Sequence, residues 1–255
     1  MVAHDVPARG ATRRGRSRRG RPHPISVVGV LGELLVTAGV CVLLFLVWQL
    51  WLNDAVLRAA QNNEAAALSE QWSEEPIRPD TPSDPLTPVV VPQPSDAEIF
   101  GILLVPRFGA DYAAKLAGGV SASRTLNPIG LGHYPETQMP GEAGNFAVAG
   151  HRNTHGKPLN LIGELRVGDA IVVEVPEGWY TYRFRTLEYV QPSGVGVLEP
   201  VPQADGVAAS DSIITLTSCN PAFSTAERII AYGAFESWTP RASGPPASIT
   251  EPLED

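Results

Sequence analysis

Residues 25–52 form an apolar run with one charged residue, Glu33, and from residue 34 to residue 52 the run carries no charge at all. A spanning helix needs about 20 mainly apolar residues, so this segment predicts a membrane span. A secretory signal would have an apolar core of roughly 7–15 residues and then a small-residue cleavage site; this run is longer and no such site follows it directly. It is read as an uncleaved anchor, with Trp48 and Trp51 at its far end, where amphipathic rings prefer the interface. Glu33 is expected close to the inner interface, because a charge at the bilayer centre is costly. Residues 1–24 carry seven arginines against the single acid Asp5. The positive-inside rule puts that basic tail in the cytoplasm and residues 53–255 outside.

The net charge of −8 hides this asymmetry, and everything beyond the arginines is distinctly acidic. An acidic external part gives no support to nucleic-acid binding, which wants a basic footprint on the folded portion. The cysteines are Cys41, inside the predicted span, and Cys219, far along the external part. They are not placed to meet in a disulfide, so Cys219 reads as a free thiol.

Residues 53–97 divide into an Ala/Gln/Glu-rich helical stalk and a linker with seven prolines between residues 76 and 94. Such a linker is expected to be an extended spacer that packs into nothing. Residues 239–255 are Pro/Ser/Glu-rich and are expected to be disordered. Between them, residues 98–238 leave about 140 residues, enough for one domain with its own core.

That domain has the texture of a β protein. Short β-branched or aromatic runs recur at 102–105, 145–149, 170–175, 181–190, 212–217 and 228–235, separated by Gly/Pro turn signals. Many short strands at this spacing predict an all-β barrel or sandwich. Along 180–188 the alternation puts Tyr182, Phe184 and Thr186 on one side, with Thr181, Arg183 and Arg185 on the other. Residues 111–116 and 160–165 are each read as a short turn of helix.

Cys219 ends the run Ser212 to Ser218 and is followed by Asn220 and Pro221. Proline cannot donate to a sheet ladder, so the strand should stop there and leave the thiol at its end. The plainer alternative is a buried structural cysteine. Arg228 comes nine residues on, at the start of the next apolar run. A long hairpin would lay it beside Cys219, where a cation favours the thiolate and can stabilise an oxyanion. His151 directly follows another apolar run and Gly150, a second strand-end position suited to proton transfer. His155 and His133 are further histidines, but their spacing with one external cysteine fits no zinc site, so no metal is expected.

Taken together, TLTSC (215–219), the following NP and ERIIAYG (227–233) resemble the signature of sortases. GHYPETQMPGEAGNFAVAGHR (132–152) is similar to the family segment that leads into its histidine, and ILLVPRFG (102–109) to its first strand. The pattern is most similar to class E sortases of high-GC Gram-positive bacteria. It departs at Ser218, where the family has threonine, and at residues 155–158, where relatives tend to carry tyrosine and no lysine. The resemblance implies a mostly β fold, a closed barrel of about eight strands with short helices behind one transmembrane helix. It implies Cys219 as nucleophile, His151 as acid and base, Arg228 as oxyanion partner, and substrate contacts from Thr217, Ser218, His133 and Tyr134. The implied reaction needs no cofactor. Its partners are C-terminal sorting-signal peptides of the LPXTG or LAXTG kind and the amine of a peptidoglycan precursor.

Two other readings stand beside this one. An L,D-transpeptidase would carry histidine and glycine just before its cysteine, whereas here Thr217 and Ser218 precede Cys219. A non-catalytic, membrane-tethered domain on the same barrel is the other, since fold does not fix function.

Overall fold

The structure, a computed structural model, describes residues 26–48, 53–76 and 87–251. The basic tail, residues 49–52 of the predicted anchor and residues 77–86 of the linker lie outside the described residues. Two units are distinguished, residues 1–46 and 47–255. In the first, α1 (Val27–Val47) has a mean hydropathy of 2.5 over its most apolar stretch and buries none of its residues. Among the described residues it is the helix long and apolar enough to cross a membrane.

The second unit begins with helix α2 (Asn53–Glu74), and eight strands follow: β1 (Ile99–Leu104), β2 (Ala113–Gly118), β3 (Leu131–His133), β4 (Gly144–Gly150), β5 (Ala170–Val175), β6 (Gly178–Val190), β7 (Ser212–Asn220) and β8 (Glu227–Pro240). They close into a barrel in the order β1-β2-β3-β4-β7-β8-β6-β5. Neighbours are antiparallel except β2 with β3 and β4 with β7, which run parallel. Closure removes the exposed strand edges on which a second chain could template. Alternate side chains fill the interior: Ile214 and Leu216 from β7, Phe146 and Val148 from β4, Tyr180, Tyr182 and Phe184 from β6. On β6 the predicted alternation holds as far as Phe184. A bulge between Phe184 and Thr186 then resets it, leaving Arg185 and Thr186 both exposed.

Three expectations need correction. The helical turn expected at 111–116 is strand β2. Its Ala/Lys/Leu sequence favours helix, but hydrogen-bonded pairing with β1 on one side and β3 on the other overrides that preference. The linker does not pack into nothing, because Val91 lies in the core and Tyr180 donates a hydrogen bond to Val89 O. Nor does the fold stop at residue 238. β8 runs on to Pro240, and Ile249 packs against a cluster of Ala170, Val172 and Trp179.

The helical expectation for the stalk agrees with α2, yet this helix does not stand free of the barrel. Ala65, Leu68 and Trp72 recur at helical spacing and pack on Ile102 and Ala113, while Glu64 pairs with Lys115. A polar staple joins the far end. Glu174 of β5 is 1% exposed and accepts from Arg241 Nη1 and Ser69 Oγ, both at 2.8 Å. The Arg241 guanidinium also lies 4.2 Å from the centre of the Trp179 ring. Removing one partner of a buried ion pair leaves the other charge unsatisfied. Arg241→Ala should therefore lower the unfolding free energy by about 3–5 kcal/mol in denaturant titration. A loss below about 1 kcal/mol would mean that the C-terminal segment is not anchored through this pair.

Candidate active site

β4 and β7 are parallel neighbours, paired from Gly144 with Ser212 through Ala149 with Thr217. Both strands therefore deliver their C-terminal ends to the same rim of the barrel. Cys219 lies one residue from the end of β7, and His151 immediately follows β4. β8 returns antiparallel from that rim, with Arg228 directly opposite Cys219 in the register. His151 and the hairpin that carries Cys219 and Arg228, far apart in sequence, thus meet at one rim.

The strand ends are held in position. Ser218 Oγ donates to Gly150 O at 2.8 Å, tying β7 to the last residue of β4. A side chain at Gly150 would come within 2.6 Å of Leu131 and 2.9 Å of Leu159, so only glycine lets these leucines close over the strand end. Arg152 Nη1 donates to Asn220 Oδ1 and, at 3.4 Å, to Cys219 O. Asn220 Nδ2 donates in turn to Glu227 Oε2 at 3.0 Å, which braces the end of β7 across to β8.

Cys219 is a half-buried free thiol. It lines an open groove of about 1030 Å³ with His151, Arg152, Asn153, His155, Phe223 and, from α2, Asp54 and Leu57. That is larger than most small-molecule pockets and has room for a peptide segment. His151 Nε2 donates to Asn127 Oδ1 at 2.8 Å; Asn127 closes the turn Ala122–Leu126. With Nε2 committed as donor, Nδ1 is the nitrogen of the neutral ring that can accept a proton. Burial and the neighbouring His155, whose ring stacks on it at 5.0 Å, push the His151 pKa down. Arg228 is set differently. Its Nη1 donates to Thr225 O at 3.1 Å and Glu227 O at 2.9 Å, and its side chain is not among those lining the groove.

The expected substrate contacts separate into two kinds. Thr217 shares the outward face of β7 with Cys219, two residues away, and its Oγ1 is 3.0 Å from Tyr134 Oη. Ser218 and His133 are placed otherwise, and neither is among the residues lining the groove. Ser218 is buried and committed to Gly150 O. His133 is 1% exposed, stacks on Phe146 at 5.1 Å, and donates from Nε2 to Gln138 O. Its place on β3 turns it toward Phe146 in the core. The sequence reading missed Asn127, Arg152, Phe223 and the α2 residues. Arg152 had a visible signal, a charge beside a strand-end histidine, whereas the others are brought in by segments that no short-range pattern connects.

Comparison with known proteins places the chain. A family model for the sortase domain matches residues 103–236. Sortase SrtE1 of Streptomyces coelicolor is 35% identical over 242 residues, covering 92% of this chain and 65% of that protein, so the chain spans just under two thirds of this relative. Sortase SrtE2 of the same organism is 31% identical over 230 residues, covering 88% of this chain and 87% of that one. The crystal structure of sortase E1 from Streptomyces coelicolor with a tripeptide in the active site superposes with a TM-score of 0.57 at 36% identity, covering 61% of this chain and 99% of that one.

His133, which is buried, and His151, which is half-buried, carry a pH prediction. Burial pushes His133 down to about 4, below its unfolded value of 6.5. The folded state then holds fewer protons than the unfolded chain. Stability from this group is full above pH 6.5 and is lost as the pH falls from there towards 4, by about 3 kcal/mol in all. Denaturant melts between pH 7 and pH 4 should show this loss, and His133→Gln should reduce the slope. An unchanged slope in that variant would assign the acid sensitivity elsewhere. By NMR titration the His151 imidazole should have its midpoint below 6.5, and His155→Asn should move it upward.

Proposed function

The chain belongs to the sortase family, and from that premise we propose that it is a membrane-anchored cysteine transpeptidase acting on the C-terminal sorting signals of exported proteins. The observation that carries this reading is the shared groove of Cys219 and His151, with Arg228 opposite Cys219 on the next strand. A tripeptide occupies the active site of the Streptomyces coelicolor sortase E1, which supports a peptide as occupant of the groove here.

In the first step the Cys219 thiolate attacks the carbonyl carbon of the threonine in an LPXTG- or LAXTG-like signal. The carbonyl oxygen takes the negative charge, and Arg228, swung from the loop carbonyls, is the cation that meets it. The bond to the glycine nitrogen breaks, His151 gives its proton to that leaving amine, and a thioester remains on Cys219. In the second step an amine of a cell-wall precursor attacks the thioester carbonyl. His151 takes the proton, the new amide forms, and Cys219 leaves as thiolate. Lowering the imidazole pKa makes the protonated ring a stronger acid toward the leaving amine, and the neutral ring that results is the form able to take the proton of the incoming one. With α1 as anchor and the arginines cytoplasmic, the barrel faces the compartment where exported proteins and wall precursors meet.

The test uses the whole chain in detergent, because α2 and residues 87–94 are part of the fold. The protein is incubated with LPXTG and LAXTG fluorogenic peptides and an amine acceptor, and mass spectrometry follows Cys219. A thioester adduct and an amide product are expected, both absent in Cys219→Ala. Arg228→Ala is expected to lower kcat/KM by about 10²–10³-fold, as for loss of an oxyanion donor. No adduct with either peptide in a folded protein would favour the tethered, non-catalytic reading.

A further inference from the structure

Three consecutive residues in the loop after β4 lie in the left-handed region: His155 at φ 54°, Gly156 at 81° and Lys157 at 55°. Glycine takes this conformation freely, but His155 and Lys157 carry a Cβ that disfavours it. Such a run persists only where the surroundings over-determine it, and such runs cluster at functional sites.

Here one helix supplies the restraint. Gln61 Nε2 donates to His155 O at 3.3 Å, Arg58 Nε donates to Gly156 O at 3.2 Å, and Lys157 Nζ pairs with Asp54 Oδ2 at 2.8 Å. Asp54, Arg58 and Gln61 follow at steps of four and three, so they share one face of α2. They meet residues 157, 156 and 155 in reverse order, one helix residue to each loop residue. A Cβ on Gly156 would stand 2.1 Å from Gln61 Oε1, so the glycine also permits the close approach. The held segment ends beside the catalytic groove, where the His155 ring stacks on His151 at an interplanar angle of 29°. Among the described residues His155 Nδ1 is buried without a hydrogen-bond partner, so packing and the α2 contact to its backbone fix this ring.

We propose that α2 is a positioning element of the active site: through Asp54, Arg58 and Gln61 it holds residues 155–157 in their left-handed conformation and so keeps His155 against the His151 ring. The helix that follows the membrane anchor thereby acts in the chemistry at a distance, through the loop. Its activity readout rests on the transpeptidase reading, whereas its structural readout does not.

The experiment uses the full chain in detergent with Gln61→Ala and Arg58→Ala, neither of which lines the groove with Cys219. Glu64→Gln is the control, since it breaks the ion pair of the same helix with Lys115 and leaves the loop alone. With the fluorogenic peptide, kcat should fall about tenfold in each clasp variant while KM changes less than about twofold, the pattern of a misplaced catalytic group. The control should keep the parental kcat. Amide hydrogen exchange of residues 154–159 should accelerate in the clasp variants and not in the control. Parental kcat in both clasp variants, or an equal loss in Glu64→Gln, would overturn the proposal. If the parent protein cleaves neither peptide, the transpeptidase reading fails by itself. Exchange then decides the clasp: faster exchange in the two variants upholds it, and unchanged exchange ends it.

Discussion

The parallel pairing of β4 with β7 is the constraint on which the site depends. Were these strands antiparallel, the residue after β4 and the last residues of β7 would emerge at opposite ends of the barrel, and His151 would be far from Cys219. Parallel neighbours cannot be joined by a tight turn, so the chain must travel round the barrel through β5 and β6 before β7 returns. The register is secured by a buried polar link. Thr215 Oγ1 donates to Asn145 Oδ1 at 2.6 Å, and Asn145 Nδ2 donates to Val197 O and Glu199 O in the connection between β6 and β7. A one-residue slip would turn Ile214 and Leu216 outward and Cys219 inward, so the apolar core and the position of the thiol enforce each other.

Around that fixed edge the site is assembled from parts of different stiffness. Cys219 and Arg228 sit on paired strands whose geometry the ladder sets. His151 sits just beyond a strand, and its ring is placed by Asn127 on one side and His155 on the other. This division suits the two-step acyl transfer proposed above, in which Cys219 would stay fixed while His151 serves first a leaving amine and then an incoming one. Phe223, 84% exposed at the tip of the loop between β7 and β8, gives the groove an apolar rim that the barrel does not need for its own stability.

Misreadings of the sequence came from segments whose conformation is imposed from outside. Residues 113–118 are helix formers by composition and a strand by virtue of two hydrogen-bonded neighbours. The proline-rich residues before β1 look like a pure spacer, yet Val91 joins the core cluster and Val89 packs against it. Arg241 lies in a stretch with the composition of a disordered tail and is held by a buried carboxylate on β5. His133 lies in the segment that resembles the one leading into the family's histidine, and that resemblance does not distinguish a histidine that touches substrate from one that packs on Phe146.

The sequence by itself determined that this chain carries an apolar helix and a β domain, and it marked Cys219, His151 and Arg228 as residues at strand ends. Those features are local. Hydropathy, two-residue alternation and a proline after a strand can each be read within a few residues of where they act. Only the tertiary structure decided that the three strand ends share a rim, that Ser218 and His133 face inward, and that α2 reaches across to residues 155–157. Each of these depends on strand order, register and helix docking, which arise from contacts between residues as much as about 100 positions apart, beyond the reach of any local pattern.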